Sequence, residues 1–509
     1  MAATEGLTPA ADPPIWVKII DQQRCIGCHA CSVACKAEND VPLGVHRTFV
    51  KEVEVGRFPK VARSFQVTRC NQCEDAPCTS VCPTRAMYRR PDGIVDFDRT
   101  ICIGCKACLN ACPYDAIYID PVSRSAEKCN FCAHRIDRGL EPACVSVCPT
   151  EAIIVGDRRR PSPGLAQHLG EPDLRVRKPE RGTHPKLFYH GGDGRGLDPL
   201  ITDLTRPRAA TERPIGATVT QAAAIMGDGG ARAAPWGWRI SAYTWTKAVA
   251  AGPFLLWPFL ALGMALERQA WTLPLAAIAA TGLALTVALL VADLTHPQRF
   301  YRMLVQPHWR SWLVRGGVAL LLASAGVGLF LIAGLVDSSI FITAAGWLLL
   351  PLALALAGYT AFLFRDSKGC RLWQSPLLPL HLLVQAAVIG AGVLVLVESA
   401  AQLPWSDLRA LVGILLAGSL LHTALIVSEF ALSNHEAESR AALQALRRGR
   451  LRGWLWLGAG GVALGIALAV VSLSMAEPVA AYVAAGVVIA AIGAYEHAHV
   501  QAGQSVPLA

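Results

Sequence analysis

Sixteen of the seventeen cysteines fall in four groups between Cys25 and Cys148, and their spacing is the first chemical signal in the sequence. CIGCHACSVAC supplies Cys25, Cys28, Cys31 and Cys35, and CIGCKACLNACP supplies Cys102, Cys105, Cys108 and Cys112. Both follow a C-x2-C-x2-C-x3-C run. Three thiolates two residues apart wrap one corner of an iron–sulfur cubane, and the fourth, next to a helix start, reaches a neighbouring cluster. CNQCEDAPCTSVCP gives Cys70, Cys73, Cys78 and Cys82, and CNFCAHRIDRGLEPACVSVCP gives Cys129, Cys132, Cys144 and Cys148, with longer gaps in the middle. Zinc hooks use the same Cys-x2-Cys pairs, but isolated pairs would suit zinc, and here the runs are repeated and nearly complete. Cysteines two apart on a tight loop are poorly placed to form disulfides. Paired motifs imply paired clusters.

The elements that must hold these thiols are short. Pro83, Pro113 and Pro149 follow the last cysteine of three groups and redirect the chain after ligation, and the tails AMYRR, AIYID and AIIVG read as flanking strands. The segment MAATEGLTPAADPPIWVKII lacks the basic start, apolar core and small-residue cleavage site of a secretory leader, so a reducing compartment and metal-bound cysteines are expected. The formal charge of +9 comes from arginines scattered over a linker and loops, without the compact basic motif of nucleic-acid recognition. Residues 1–156 therefore read as an α+β ferredoxin-like domain. Residues 157–235, rich in Arg, Pro and Gly, read as an extension and solvated linker, and residues 236–509 as a membrane domain.

The four cysteine groups resemble those of the four-cluster iron–sulfur subunits of the molybdopterin oxidoreductases, such as dimethyl sulfoxide reductase, polysulfide reductase and formate dehydrogenase. The resemblance covers residues 14 to about 190, including KPERGTHPKLFYH, which is similar to that family's carboxyl-terminal extension. It implies four 4Fe-4S clusters in two double-cluster units. The first and fourth groups exchange their last cysteines, as do the second and third. The implied ligand sets are Cys25, Cys28, Cys31 with Cys148; Cys129, Cys132, Cys144 with Cys35; Cys70, Cys73, Cys78 with Cys112; and Cys102, Cys105, Cys108 with Cys82.

From about Lys247 the chain is a series of apolar stretches near the roughly 20 residues a spanning helix needs. Eight are expected, at 246–266, 272–293, 313–336, 340–364, 377–397, 409–430, 453–473 and 478–497, forming an all-α bundle. An even number returns both ends to the side of the cluster domain. The loops there carry Arg299, Arg302, Arg310, Arg365, Lys368, Arg371, Arg440, Arg447, Arg448, Arg450 and Arg452, against mainly Arg268 opposite. The positive-inside rule then puts the iron–sulfur domain in the cytoplasm, at the cell (inner) membrane.

The segment DLTHPQRFYRMLVQPHWRSWLVRGG resembles the connection after the second helix of the NrfD and polysulfide reductase membrane subunits, which are haem-free, quinone-reactive anchors. Asp293, His296 and Arg299 sit at the cluster-side mouth, where a quinone (menaquinone or ubiquinone) needs hydrogen-bond and proton partners, and Trp309, Arg310 and Trp312 are candidates to complete the pocket wall, with Arg310 counted among the quinone-site residues. The alternative is that the arginines anchor the loop or dock the iron–sulfur domain. Ionisable residues inside spans are functional candidates: Lys247, His381, His422, Glu398, Glu429 and Glu496. An interhelical hydrogen bond is the simpler reading of the histidines, and interfacial solvation that of the glutamates. No histidine pair suggests haem.

No segment looks like a pterin-binding domain. The expected function is therefore electron transfer and membrane anchoring, linking a separate molybdopterin-type catalytic subunit to the quinone pool. Alternatives are a redox-driven proton-translocating module and a self-contained membrane ferredoxin:quinone oxidoreductase.

Overall fold

The two CIGC runs fold alike because the same residues impose the same backbone. Gly27 and Gly104 both turn at φ +69°, and His29 and Lys106 follow at φ 60° and 62°, in the left-handed region. The computed structural model describes residues 12–57, 59–192, 194–197, 234–263, 268–401, 405–433, 436–506 and 508. Nine strands occur among these: β1 (Trp16–Asp21), β2 (Thr48–Arg57), β3 (Lys60–Arg69), β4 (Met87–Arg89), β5 (Val95–Phe97), β6 (Ile117–Ile119), β7 (Ala126–Lys128), β8 (Ile153–Asp157) and β9 (Leu187–His190). Strand β1 lies between β8, antiparallel, and β9, parallel; β2–β3, β4–β5 and β6–β7 are hairpins. The tails after the second, third and fourth groups are thus β4, β6 and β8.

Short helices carry the cysteines: α1 (Ala30–Glu38), α2 (Pro77–Val81), α3 (Ala107–Ala111), α4 (Ala133–Ile136) and α5 (Ala143–Ser146), followed by α6 (Pro163–Leu169). The fourth cysteine of a group does not sit at a helix start as expected. Cys35 lies inside α1, Cys82 and Cys112 cap the carboxyl ends of α2 and α3 with extended backbone, and Cys148 follows α5. The extension, residues 158–192 and 194–197, is folded against this domain, since β9 completes the sheet through Lys18↔Leu187 to Asp21↔His190. Residues 198–233 of the expected linker lie outside the described residues.

The carboxyl half is helical: α7 (Trp238–Leu255), α8 (Trp257–Gly263), α9 (Arg268–Asp293), α10 (Arg302–Val305), α11 (Trp312–Leu335), α12 (Ser339–Arg365), α13 (Leu378–Ala401), α14 (Trp405–Ser433), α15 (Ala437–Arg447), α16 (Arg452–Met475) and α17 (Pro478–Gly503). Among the described residues seven helices are long and apolar enough to cross a membrane, namely α9, α11, α12, α13, α14, α16 and α17. The first expected span is instead realised as α7 and α8, which break at Leu256 after Pro253, and α7 carries Arg239 and Lys247. Small residues bring the backbones together. A Cβ at Gly390 of α13 would stand 2.2 Å from the Gly252 carbonyl carbon of α7, the close approach that glycine permits where lipid gives helices no hydrophobic reason to associate.

The two halves are joined through backbone groups of the cysteine loops. His308 Nδ1 bonds the Cys82 carbonyl at 2.8 Å, Ser311 Oγ donates to Val81 O at 2.7 Å, and Trp236 Nε1 donates to Cys105 O at 3.0 Å. Lys178 (2.9 Å) and Arg181 both pair with Glu438 of α15.

Candidate functional site

Two of the four implied sets each share a cavity, and members of the other two lie within electrostatic reach of one another. Cys70, Cys73, Cys78 and Cys112 line one cavity, and Cys25, Cys28, Cys31 and Cys148 line another. Cys35 stands in the electrostatic field of Cys129, Cys144 and Cys132, and Cys108 in that of Cys105, Cys102 and Cys82. The sets are linked, with Cys31 in the electrostatic field of Cys144, Gln72 Nε2 donating to Cys129 O at 2.9 Å, and Cys78 in the field of Cys82.

The donor chemistry fits an anionic cluster. Thiols of a set stand around a space instead of converging on one point at the roughly 2.3 Å metal–sulfur distance of a zinc site, and no such single-ion group occurs among the described residues. Peptide N–H groups point at sulfur: Ala152 to Cys148 at 3.2 Å, Met87 to Cys82 at 3.4 Å and Ala126 to Cys102 at 3.4 Å. Arg69, 1% exposed, donates to Cys144 Sγ at 2.9 Å, and its Nε and Nη2 find no other partner among the described residues. A buried cation whose charge partners are the thiols of Cys144, Cys31 and Cys129 demands negative charge there. Burial first, then the neighbouring Cys129 and Cys144, pushes the Cys35 thiol up to about 12, so as a bare thiol it keeps a proton that metal ligation removes.

A cavity of about 940 Å³, its open mouth included, lies in the membrane half beside this domain. Cys105 and Ile103 of the third cysteine group form its roof, Trp236, Tyr243 and Tyr359 its polar-tipped walls, and apolar residues of α9, α10 and α11 the rest. Val287, Leu304 and Leu321 on its rim are 39%, 44% and 54% exposed, so its mouth is apolar. Asp293 lines it, 7% exposed, and accepts from Lys106 Nζ at 3.1 Å. Lys106 lies between Cys105 and Cys108, so one residue ties the cysteine loop to the pocket's carboxylate.

The remaining predicted pocket residues lie elsewhere. His296 Nε2 bonds Ser123 O at 2.9 Å and its N–H donates to Ile103 O at 3.2 Å; Arg299 Nη1 donates to Arg99 O and Cys102 O at 2.8 and 2.9 Å. They dock the cysteine domain, because tight loops leave carbonyls that need donors. Arg310 is exposed, Trp309 is 57% exposed, and Trp312 stacks on Phe362 at 4.5 Å. None of these five lines the pocket, whose wall is built from Phe300, Met303 and Leu313. Tyr243 and Tyr359 were not legible as site residues, since an isolated tyrosine in an apolar helix carries no spacing signal. The glutamates are not solvated as expected: Glu398, Glu429 and Glu496 are 2%, 3% and 2% exposed.

A thiol-rich domain with four-thiol cages, seated on a bundle of membrane-length helices, defines a multi-pass membrane iron–sulfur electron-transfer protein. Residues 16–37 match the family described as a 4Fe-4S binding domain, 61–158 the 4Fe-4S dicluster domain, and 229–496 Polysulphide reductase, NrfD. The amino half is similar to a tetrathionate reductase subunit of Salmonella typhimurium, 42% identical over 190 residues (36% of this chain, 76% of that one). It is 47% identical over 174 residues to a polysulfide reductase polypeptide of Wolinella succinogenes (33% and 91%). It is 49% identical over 144 residues to the thiosulfate reductase electron transfer subunit of Salmonella typhi (28% and 75%). This protein belongs to the NrfD family through its bundle and to the iron–sulfur subunits of these reductases through its amino half.

Proposed function

We propose that this chain passes electrons between a molybdopterin-type catalytic subunit and the membrane quinone pool through four 4Fe-4S clusters, held in two double-cluster units by the four cysteine sets named above. The observation that carries the reading is that Cys105 and Asp293 share the wall of one apolar cavity. A ligand there lies against a cluster-binding cysteine and within reach of a carboxylate, with a mouth of exposed aliphatic side chains suited to a lipid-soluble ring. When bound, the clusters supply one-electron transfer. Asp293, oriented by Lys106, holds or moves the proton at a quinone oxygen, and Tyr243 hydroxyl offers a second hydrogen bond. Elsewhere in the cysteine domain Cys28 is exposed beside Ile26 and Val33, 58% and 65% exposed, a surface suited to the catalytic partner.

The domain division is 1–156, 157–235 and 236–509. Eight crossings are supported by contacts at the helix ends. Trp236, just before α7, bonds Cys105 O, and Asp293, ending α9, bonds Lys106, so α7 and α8 together must carry the chain to the far side. The arginine-rich loops share the side of the cysteine domain, which argues for a cytoplasmic domain at the inner membrane.

Asp293→Asn and Tyr243→Phe in the purified complex test the site. Quinone-linked turnover is expected to fall by about tenfold or more, with the electron paramagnetic resonance spectra of the dithionite-reduced clusters unchanged. Unaltered turnover in both variants would place the quinone elsewhere.

A further inference from the structure

A band of buried ionisable side chains leads from the pocket into the second half of the bundle, and the quinone reading above makes no use of it. Lys247 of α7, 3% exposed, donates to Thr360 Oγ1 at 2.5 Å, and its Nζ lies 4.6 Å from the ring centre of pocket-lining Tyr359. Glu496 of α17 is the carboxylate whose charge acts on Lys247 and on Tyr243, and Gln385 Nε2 of α13 donates to it at 3.1 Å. One turn further along α17, His499 is 4% exposed and stands in the fields of Glu496, Glu429 and His381. His381 bonds Glu429 Oε2 at 2.8 Å through Nδ1 and His422 Nε2 at 3.1 Å through Nε2. The Tyr495 ring lies 5.7, 5.8 and 5.9 Å from those of His381, His422 and His499.

This cluster is half-satisfied. Among the described residues both ring nitrogens of His499, His422 Nδ1, Glu429 Oε1, Glu496 Oε1 and the Tyr495 hydroxyl have no hydrogen-bond partner. Packing alone gains nothing from burying such groups, since each open polar atom costs desolvation without return. A proton carrier needs that openness, because a free lone pair must be ready to accept. Position gives the direction. At about 1.5 Å per residue, Lys247 lies nine residues into α7, Glu496 and His499 seven and four from the end of α17, His381 three into α13, and Glu429 and His422 four and eleven from the end of α14. These ends all face the cysteine domain, so the six occupy roughly the nearer half of a ~30 Å hydrocarbon layer. Glu429 also reaches Ser375, half-buried in the loop on that face.

We propose that Lys247, Glu496, His499, His381, His422 and Glu429 conduct protons laterally between the pocket and the aqueous phase on the iron–sulfur side, with His499 the link between the two halves of the band. The proposal rests on the quinone reading. Interconversion of quinone and quinol exchanges two electrons and two protons; the electrons cross at the Cys105 wall, and the protons travel this band in whichever direction the chemistry runs. Asp293 serves the oxygen and the band refills or drains the site.

The test uses the whole complex with its catalytic partner, assayed with a soluble quinone analogue in H2O and D2O. In His499→Ala and Glu496→Gln, turnover is expected to fall by about tenfold or more, with a larger solvent isotope effect and partial rescue of His499→Ala by added imidazole. Dithionite reduction of the clusters and affinity for a fluorescent quinone analogue stay at wild-type values. Wild-type turnover and isotope effect in both variants, with analogue binding intact, overturn the route while leaving the pocket standing. Leu320→Trp, which fills the cavity, checks the pocket separately: if analogue binding and turnover survive it, the quinone reading fails and the route falls with it.

Discussion

Arg69 is a fully buried guanidinium whose compensating charge is sulfur. Burial alone would lower its affinity for a proton, but Cys144, Cys31 and Cys129 hold it above its ordinary value. At Cys144 burial raises the thiol, and Lys18 and Arg69 together carry it below its ordinary value. Lys18 approaches Cys144 Sγ at 3.9 Å, so two cations face one ligand of the set Cys35, Cys129, Cys132 and Cys144. A positive charge favours the more negative, reduced state of a bound cluster. Arg69→Leu should therefore lower the midpoint potential of one cluster by about 60 mV or more, equivalent to a tenfold one-electron change, as read by a spectroscopically monitored redox titration of the purified complex. Four unchanged potentials would show that solvent or the peptide dipoles, not Arg69, set that value. The cysteines were legible because ligation is written in local spacing. Arg69 and Lys18 were not, since they come from strands β3 and β1 and meet Cys144 only through the fold.

Membrane-length helices were legible from hydropathy, and seven of the eight expected spans coincide with α9, α11, α12, α13, α14, α16 and α17. The first was harder because α7 mixes apolar residues with Arg239, Lys247 and the buried Ser241, Tyr243, Thr244 and Thr246, of which Tyr243 lines the pocket. Which glycines matter was not legible at all, since twenty-residue apolar stretches rich in glycine look alike until their partners are known. Gly390→Ala places a methyl against Gly252 C, Gly252 O and Pro253 N at 2.2 to 2.6 Å, all backbone atoms that cannot rotate away. The expected loss is about 3 kcal/mol, the upper end of ordinary overpacking, seen as a lower midpoint of thermal inactivation in detergent. Gly413→Ala in α14, where nothing lies within 4 Å, should be neutral or slightly stabilising because alanine is the better helix former. Equal behaviour of the two variants would mean that the α7–α13 crossing is not tight in the membrane.

At the scale of the molecule, Cys28 is exposed and Cys105 lies at the pocket, and the membrane half grips the cysteine domain through Trp236, His308 and Ser311 and its extension through Glu438. The fold turns Asp293 into the cavity, while His296 and Arg299 bond the cysteine domain, the docking role weighed for the arginines as the alternative to a pocket. All three follow one helix end, but only the fold separates a carboxylate turned into the cavity from donors turned to Ile103, Ser123 and Cys102. The same grip makes sidedness testable, because every loop that touches the cysteine domain must share its compartment. Arg447 at the end of α15, Arg448 and Arg450 in the loop, and Arg452 at the start of α16 lie together, and moving such charge across a membrane is disfavoured; the turn at Ala476, between α16 and α17, carries no arginine. A protease site inserted after Ala476 should be cut in intact spheroplasts, and one inserted after Arg450 only in inside-out vesicles. The reverse pattern would put the iron–sulfur domain outside the cytoplasm, and with it the face to which the proposed proton route opens.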